Sequence, residues 1–413
     1  MSGLSIAAYF PFARFKVVNQ TVHRETDTPA ALIYIKPDQR YRPLCHACGR
    51  RADGIHSHGY RRVLRDLAVA DTEVWLQVQY RKVWCQDCGK ARVEHLGFAD
   101  ASQRVTRRLA RYVYELRKVL TIAEVAHQVN LDPKTVKAID MHFLEQEFGV
   151  TDYTDLMVLA VDEIALKKGQ LGYMTVVLDY LSGRVVWMGE GRKSDTLDGF
   201  FAGMTQEQKK AIQAVAMDMW EPFIKSVKTH CPQVRIVFDL FHLVKGYGEV
   251  IDEVRRREFR QADPAHREWI KGSRYLLLRN AENLKDTQRQ RLEQLLKANR
   301  TLSAVYILKD QLKAVYRYRQ PAACRRALSQ WCAMAESIDH PLMRRFIGRL
   351  RFFEEGIVNH SHCPIGTSPL EGVNNRIKVI KRDAYGFHDP RYFALKVKQA
   401  FPGVDVKRNN FLG

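Results

Sequence analysis

AVAMDMWEPFIKSVKTHCPQVRIVFDLFH, residues 214–242, is the stretch whose reading decides the fold. Two short apolar runs, AVAM and VRIVF, each end in an aspartate, Asp218 and Asp239, and between them EPFIKSVKTH reads as a helix with Pro222 in its first turn. Strand, helix, strand is one βα unit. A carboxylate at the end of a buried strand is costly unless something compensates its charge. This chain does it twice here and once more upstream, where the apolar run of LMVLAVDEIAL, residues 156–166, ends at Asp162.

Around that core the periodicity is that of an α/β domain. MVLAVDEIAL, YMTVVLDYLSG and RVVWMGEG, between residues 157 and 191, read as three consecutive strands with YLSG as the turn between the second and third. SDTLDGFFAGMTQEQKKAIQ, residues 194–213, reads as one helix with Ser194 as N-cap. AVAMD and VRIVFD are then the fourth and fifth strands. From about residue 244 to 358 the chain is helical and densely charged, and residues 359–413 return to the core. The N-terminal half differs: FKVVNQTVH, AALIYIKP and EVWLQVQYRKVW are strand-like, whereas QRVTRRLARYVYELRKVL, residues 103–120, is helical and basic.

Composition bounds the partners. The 413 residues carry 66 Lys+Arg against 46 Asp+Glu, net +20, an excess that points to a polyanion, double-stranded DNA above all, with a merely solvated basic surface as the alternative. No apolar run approaches the ~20 residues needed to cross a bilayer, and the opening stretch lacks a secretory layout, so a cytoplasmic, nucleoid-associated protein with no membrane partner is expected.

Cys45-His-Ala-Cys48 and Cys85-Gln-Asp-Cys88, each followed by glycine, are two C-x-x-C knuckles spaced for a tetrahedral structural Zn2+ site that would staple the β-rich stretch between them. His56 and His58 are left out of that ligand set. TIAEVAHQVNLDPKTVKAID, residues 121–140, opens with a Thr121/Glu124 capping box, turns at VNL and restarts at Asp132-Pro133. Helix, tight turn, helix predicts a helix-turn-helix whose second helix presents Lys134, Thr135 and Lys137 to a major groove; a helical hairpin without a DNA role is the alternative.

The third constellation is acidic. Asp162 ends the first strand and Asp218 the fourth, which are neighbours in a ribonuclease-H-like topology, and Glu371 opens a helix after the helical block. Three converging carboxylates repel one another; magnesium ions, which take oxygen ligands, would balance them. Asp239, three residues before His242, could be a fourth carboxylate or, with His242, a group that orients the others. Glu163 points to the opposite face of a strand from Asp162 and is the weaker choice.

VDEIALKKGQLGYMTVVLDYLSGRVVWMGEGR (161–192), MDMWEPFIKSVKTHCPQVRIVFDLFHLVK (217–245) and GTSPLEGVNNRIKVIKRDAYGFHD (366–389) together resemble the bacterial insertion-sequence transposases of the ISL-three family, nearly throughout the chain. The resemblance implies a multidomain α+β protein: an N-terminal β-rich zinc module (1–100), a helix-turn-helix domain (101–150), a ribonuclease-H-like α/β catalytic core (151–243), an all-α insertion (244–358) and a final core segment (359–413). It implies a DDE transposase with Asp162, Asp218 and Glu371 as catalytic triad and ligands of Mg2+ or Mn2+. Asp239 with His242 matches a D-x-x-H signature near such active sites; Asp239 could itself be the second acid, but the strand count favours Asp218. The partners implied are the element's terminal inverted repeats and a target DNA, bound by a homodimer assembled on DNA. Asn374, Asn375, Lys378, Lys381 and Arg382 follow Glu371 at helical spacing and could grip phosphates or simply face solvent. The rival is a catalytically inactive, sequence-specific DNA-binding regulator derived from a transposase.

Overall fold

The computed structural model describes residues 12–23, 29–100, 103–165, 172–383 and 389–405, and the chain divides into two compact units, Met1–Glu147 and Phe148–Gly413. In the first, strands β1 (Phe15–His23), β2 (Ala30–Pro37), β3 (Gly54–Val69), β4 (Thr72–Cys85) and β5 (Lys90–Val93) form one sheet in the order β1-β2-β4-β3, with β5 also on β4. Strict alternation along β4 buries Val74, Leu76 and Val78 against Ile33, Ile35 and Leu64. Helices α1 (Arg107–Leu116), α2 (Ile122–Val129) and α3 (Pro133–Phe148) follow.

The sheet and these helices share one unit, where the sequence reading separated residues 1–100 from 101–150. Asp66 on β3 is the join. Buried at 1% exposure, it accepts hydrogen bonds from the Thr106 hydroxyl (2.6 Å) and Arg108 Nε (2.7 Å) at the start of α1.

The second unit is built on β6 (Val158–Ala165), β7 (Tyr173–Asp179), β8 (Val185–Glu190), β9 (Ala214–Met217) and β10 (Arg235–Phe238), in the order β10-β9-β6-β7-β8. The first three form an antiparallel meander; β9 runs parallel to β6, and β10 parallel to β9. Between β8 and β9 lie two helices, α4 (Ser194–Ala202) and α5 (Gln206–Ala211), where one was expected. Ser194 is the first helical residue, with Lys193 at the cap position. The break has a local cause: Thr205 is extended and forms with Gln208 a reciprocal capping box that starts a new helix.

After β9 come α6 (Glu221–His230), β10, and a helical block: α7 (Leu240–Gln261), α8 (Pro264–Ile270), α9 (Arg274–Leu278), α10 (Asp286–Ala298), α11 (Arg300–Val315), α12 (Pro321–Glu336), α13 (Pro341–Phe352) and α14 (Glu354–Asn359). Helices α15 (Ser368–Asp383) and α16 (Pro390–Ala400) complete the chain's described part. The pleat sorts the two sheet faces. Leu159 and Val161 pack with α4, α6, α7 and the helical block, whereas Val158, Ala160 and Ile164 pack with α15 and α16. On α15 the buried stripe is Leu370, Val373, Asn374 and Ile377, and the three apolar members each contribute about 1.5–3 kcal/mol by leaving water. The block covers the sheet edge at β10: Asn359 Nδ2 donates to the Ile236 carbonyl (2.9 Å) and the Tyr316 hydroxyl to that of Phe238 (3.2 Å).

Candidate active site, cysteine centre and helix pair

Parity along the strands aims the acids. Asp162 shares the face of Val158 and Ala160, the side covered by α15, and Glu163 takes the opposite face. On β9, Asp218 continues the parity of Ala214 and Ala216, also toward α15. The two strands pair with Ala160 opposite Ala216, so carrying that register on by two residues sets Asp162 opposite Asp218. Burial, followed by the Asp218 charge, raises the Asp162 carboxyl above its ordinary range, although its Glu163 amide bond (2.8 Å) favours the ionised form. Glu163 is raised likewise, by burial first and then by Asp162 and Asp218, and Arg192 opposes this from 3.7 Å.

His242, in the first turn of α7, closes the group. Its Nδ1 lies 2.5 Å from Asp218 Oδ1 and 3.9 Å from Asp239 Oδ1. Burial alone would lower the imidazole, but Asp218, Asp162 and Asp239 outweigh it and the net shift is upward. Asp239 is otherwise engaged: it caps α7, with Oδ1 accepting from the Phe241 amide (2.6 Å) and Oδ2 from the Thr367 amide (2.6 Å) just before α15. Both oxygens hold backbone, so Asp239 acts here as a clamp between two segments.

From α15 comes a contact that sequence reasoning missed. Asn374 Nδ2 donates to Asp162 Oδ2 at 2.6 Å, across 212 positions of chain, and its own Oδ1 is buried without a hydrogen-bond partner. A signal for it existed: Asn374 is the polar member of an otherwise apolar stripe, and such a residue needs a partner. Glu371 lies on the same helix one turn earlier and is exposed. The structure therefore makes Asp162, Asp218 and His242 neighbours, with Glu371 on the helix bonded to Asp162, but not a tight ligand set: among the described residues, Cys45, Cys48, Cys85 and Cys88 are the one group of three or more such ligands whose ligand atoms all lie within 4.8 Å of one another. The donor set still suits a hard divalent cation. Two neighbouring carboxylates, one of them raised by burial and by the other's charge, and an unpartnered amide oxygen beside them are what oxygen-seeking ions satisfy.

Of the other residues expected on α15 to meet DNA, Asn375, Lys378 and Arg382 are exposed, and Lys381 Nζ reaches the Ala165 carbonyl at 3.2 Å. Asn374 faces Asp162 instead of solvent.

The cysteine centre is compact. Sγ of Cys45 lies 3.9 Å from that of Cys88, and Cys48 3.5 Å from Cys85. Tetrahedral zinc at ~2.3 Å from each sulfur separates the sulfurs by roughly 3.8 Å, so the group could hold zinc without rearrangement. Gly49 and Gly89, at φ +71 and +64, turn each knuckle through a left-handed conformation that a side chain would strain. His56 and His58 are exposed and outside the cluster.

The helix pair is held as its caps predict. Thr121 and Glu124 form the capping box (2.7 and 3.3 Å), Asn130 closes α2 in the left-handed region at φ +49, and Asp132 accepts from the Lys134 amide at 2.8 Å. A buried Arg117–Asp140 pair (3.2 Å) ties α1 to α3. Lys134 is exposed, with Thr135 and Lys137 half-buried beside it.

Comparison with known proteins bears on both units. A family model described as a transposase, of the ISL3 DDE type, matches residues 159–397, and one for the helix-turn-helix domain of transposase family ISL3 matches residues 94–144. The chain is 42% identical over 375 residues to the transposase for insertion sequence element IS1001 of Bordetella parapertussis, covering 90% of this chain and 91% of that one. It is 26% identical over 395 residues to the transposase for insertion sequence element IS1557 of Mycobacterium tuberculosis, covering 88% and 87% respectively.

Proposed function

The chain belongs to the ISL3 family of insertion-sequence transposases, and we propose that it binds the terminal inverted repeats of its element and cuts and joins DNA strands with Asp162, Asp218 and Glu371. The observation that carries this reading is the meeting on one sheet face of Asp162, Asp218 and the Glu371-bearing helix, fastened by the Asn374–Asp162 bond. A ribonuclease-H-like core is the matching fold assignment. It is supported by an antiparallel meander extended from its first strand by two parallel strands, with helices on both faces.

Asp162, Asp218 and, once α15 has adjusted on DNA, Glu371 would hold Mg2+ or Mn2+. When bound, such ions activate water or a DNA 3′-hydroxyl for in-line attack and neutralise charge at the phosphorus. The remaining work falls to side chains. Asn374 fixes the Asp162 carboxylate, and Asp239 locks the start of α7 so that His242 stays against Asp218. In this reading Lys378, Lys381 and Arg382, with Asn375, bind phosphates flanking the cut, and Lys134, Thr135 and Lys137 read the inverted repeat. The cysteine centre holds structural zinc, and a homodimer assembled on paired ends, in the cytoplasm at the nucleoid, is the working form.

A strand-transfer assay with magnesium and an end-bearing duplex tests this. Asp162→Asn should abolish cutting and joining while leaving duplex affinity unchanged. Joining by that variant at the wild-type rate would sink the reading, and a wild-type protein that binds DNA but never cuts it would be the inactive regulator instead.

A further inference from the structure

Beyond the first turn of α7 the helical block has no role in the chemistry above, yet it carries an unusual surface. Asp252 on α7, 6% exposed, is surrounded by three guanidinium groups: Arg255 at 2.8 Å, Arg256 at 3.0 Å and Arg274, at the start of α9, at 3.3 Å. Arg256 also pairs with Glu253 (3.3 Å), which in turn holds Arg260 (2.9 Å), so two carboxylates face four guanidinium groups and the cluster keeps an excess positive charge while its geometry is fixed from below. Beside it stands Tyr275, 63% exposed, with the Arg274 guanidinium 5.7 Å and that of Arg279 6.0 Å from its ring centre.

An exposed ring usually sits on a yielding surface. This one does not. Lys309, 2% exposed, donates from Nζ to the Leu277 and Arg279 carbonyls, both at 2.8 Å, and so pins the end of α9, while Leu276 and Leu277 are buried beneath. Burying an ammonium to hold two carbonyls is expensive, and here it fixes the element that presents Tyr275. The position is also telling. Leu278 approaches Gly248 and Arg274 reaches Asp252, so α9 lies along α7 about six to ten residues beyond His242, roughly 9–15 Å along the axis.

We propose that Tyr275, with the Arg274 and Arg279 guanidinium groups over its ring at 5.7 and 6.0 Å, is a stacking platform for an unpaired base of DNA whose phosphates lie on the Arg255–Arg256–Arg274 cluster. Charge and shape both select this partner. Guanidinium groups meet phosphate, while a rigid ring with flanking cations accepts the π-face of any base without regard to sequence. Fully paired DNA keeps its bases stacked on one another and would gain only the phosphate contacts. The inference deepens the transposase reading: a strand opened near the carboxylates would have its displaced base held a few nucleotides away.

The test uses full-length protein, a short single strand carrying 2-aminopurine and the matching perfect duplex, by fluorescence anisotropy at fixed salt. Tyr275→Ala should weaken single-strand binding about tenfold, abolish the 2-aminopurine quench, and change duplex binding by less than about twofold; Tyr275→Phe should keep both. Unchanged single-strand affinity in Tyr275→Ala would overturn the platform, as would equal losses on both probes. A shift in oligomeric state with unaltered DNA binding would show the ring to be a contact between copies, and the proposal would fall. Wild-type protein that binds neither probe would defeat the DNA-acting reading itself, a different failure.

Discussion

Asp162 carries opposing demands, and its titration exposes them. Its carboxyl is raised above the ordinary 3.8, so the folded chain binds a proton more tightly than the unfolded chain does. Between 3.8 and the raised value, rising pH therefore removes stability. Asp162→Asn should melt at the same temperature as wild type in acid and higher than wild type once that window is passed. The comparison belongs below pH 6.5, because His242, raised above that value, starts to lose its own contribution at higher pH. A variant that melts lower at every pH would mean that Asp162 is stabilising in its own right. Asn374→Ala should cost about 1–3 kcal/mol by leaving a carboxylate oxygen unpaired, and should lower Mn2+ affinity as well as joining rate; equal Mn2+ binding in both proteins would separate the amide from the site. At this scale the sequence was readable in part: Asp218 directly follows β9 as expected, whereas Asp162, expected to end its strand, lies inside β6 three residues before Ala165. Asn374 reaches Asp162 from far along the chain, and no spacing rule links two residues so remote. Asp239 was left open between a further ligand and, with His242, an orienting group, since an acid that ends a strand and an acid that caps the next helix are the same letter in the same place; its bonds to the Phe241 and Thr367 amides fit the second.

At the scale of elements, capping chemistry carried most of the reading. The Thr121 box, the Asp132 restart and the YLSG turn stand where their residue types put them, because each is satisfied within a few positions. The helix over residues 194–213 is instead two, because Thr205 takes an extended N-cap conformation and forms a reciprocal capping box with Gln208 that starts a second helix. The helix pair yields a prediction of its own. If Lys134 and Lys137 sit on phosphates, each change to alanine should weaken binding to end-bearing duplex and reduce the slope of log affinity against log salt by about 1. An unchanged slope would assign that face to solvent.

At the scale of the whole molecule, composition pointed to a polyanion, and the change of periodicity after residue 150 lies three residues from the boundary between the two compact units, at the end of α3. Two units with separate cores should unfold in more than one step. Removing zinc with a chelator, or changing Cys45 to serine, should bring the transition of the first unit to lower denaturant and leave that of the second in place, followed by far-ultraviolet circular dichroism and by zinc content. A single transition that moves as a whole would show the units to be energetically one.

The two helices that cover the Asp162 face of the sheet are synthesised after all five strands of the second unit and the whole helical block. A ribosome that has passed residue 359 has delivered all five strands of the second unit and the entire helical block, yet Ala160, Val176 and Ala216 still await α15 and α16. Until those helices emerge the nascent chain carries a bare apolar face and an acid pair without its asparagine, a state prone to association. Termination before α15 would thus release a chain whose Asp162 face lacks its covering helices and Asn374.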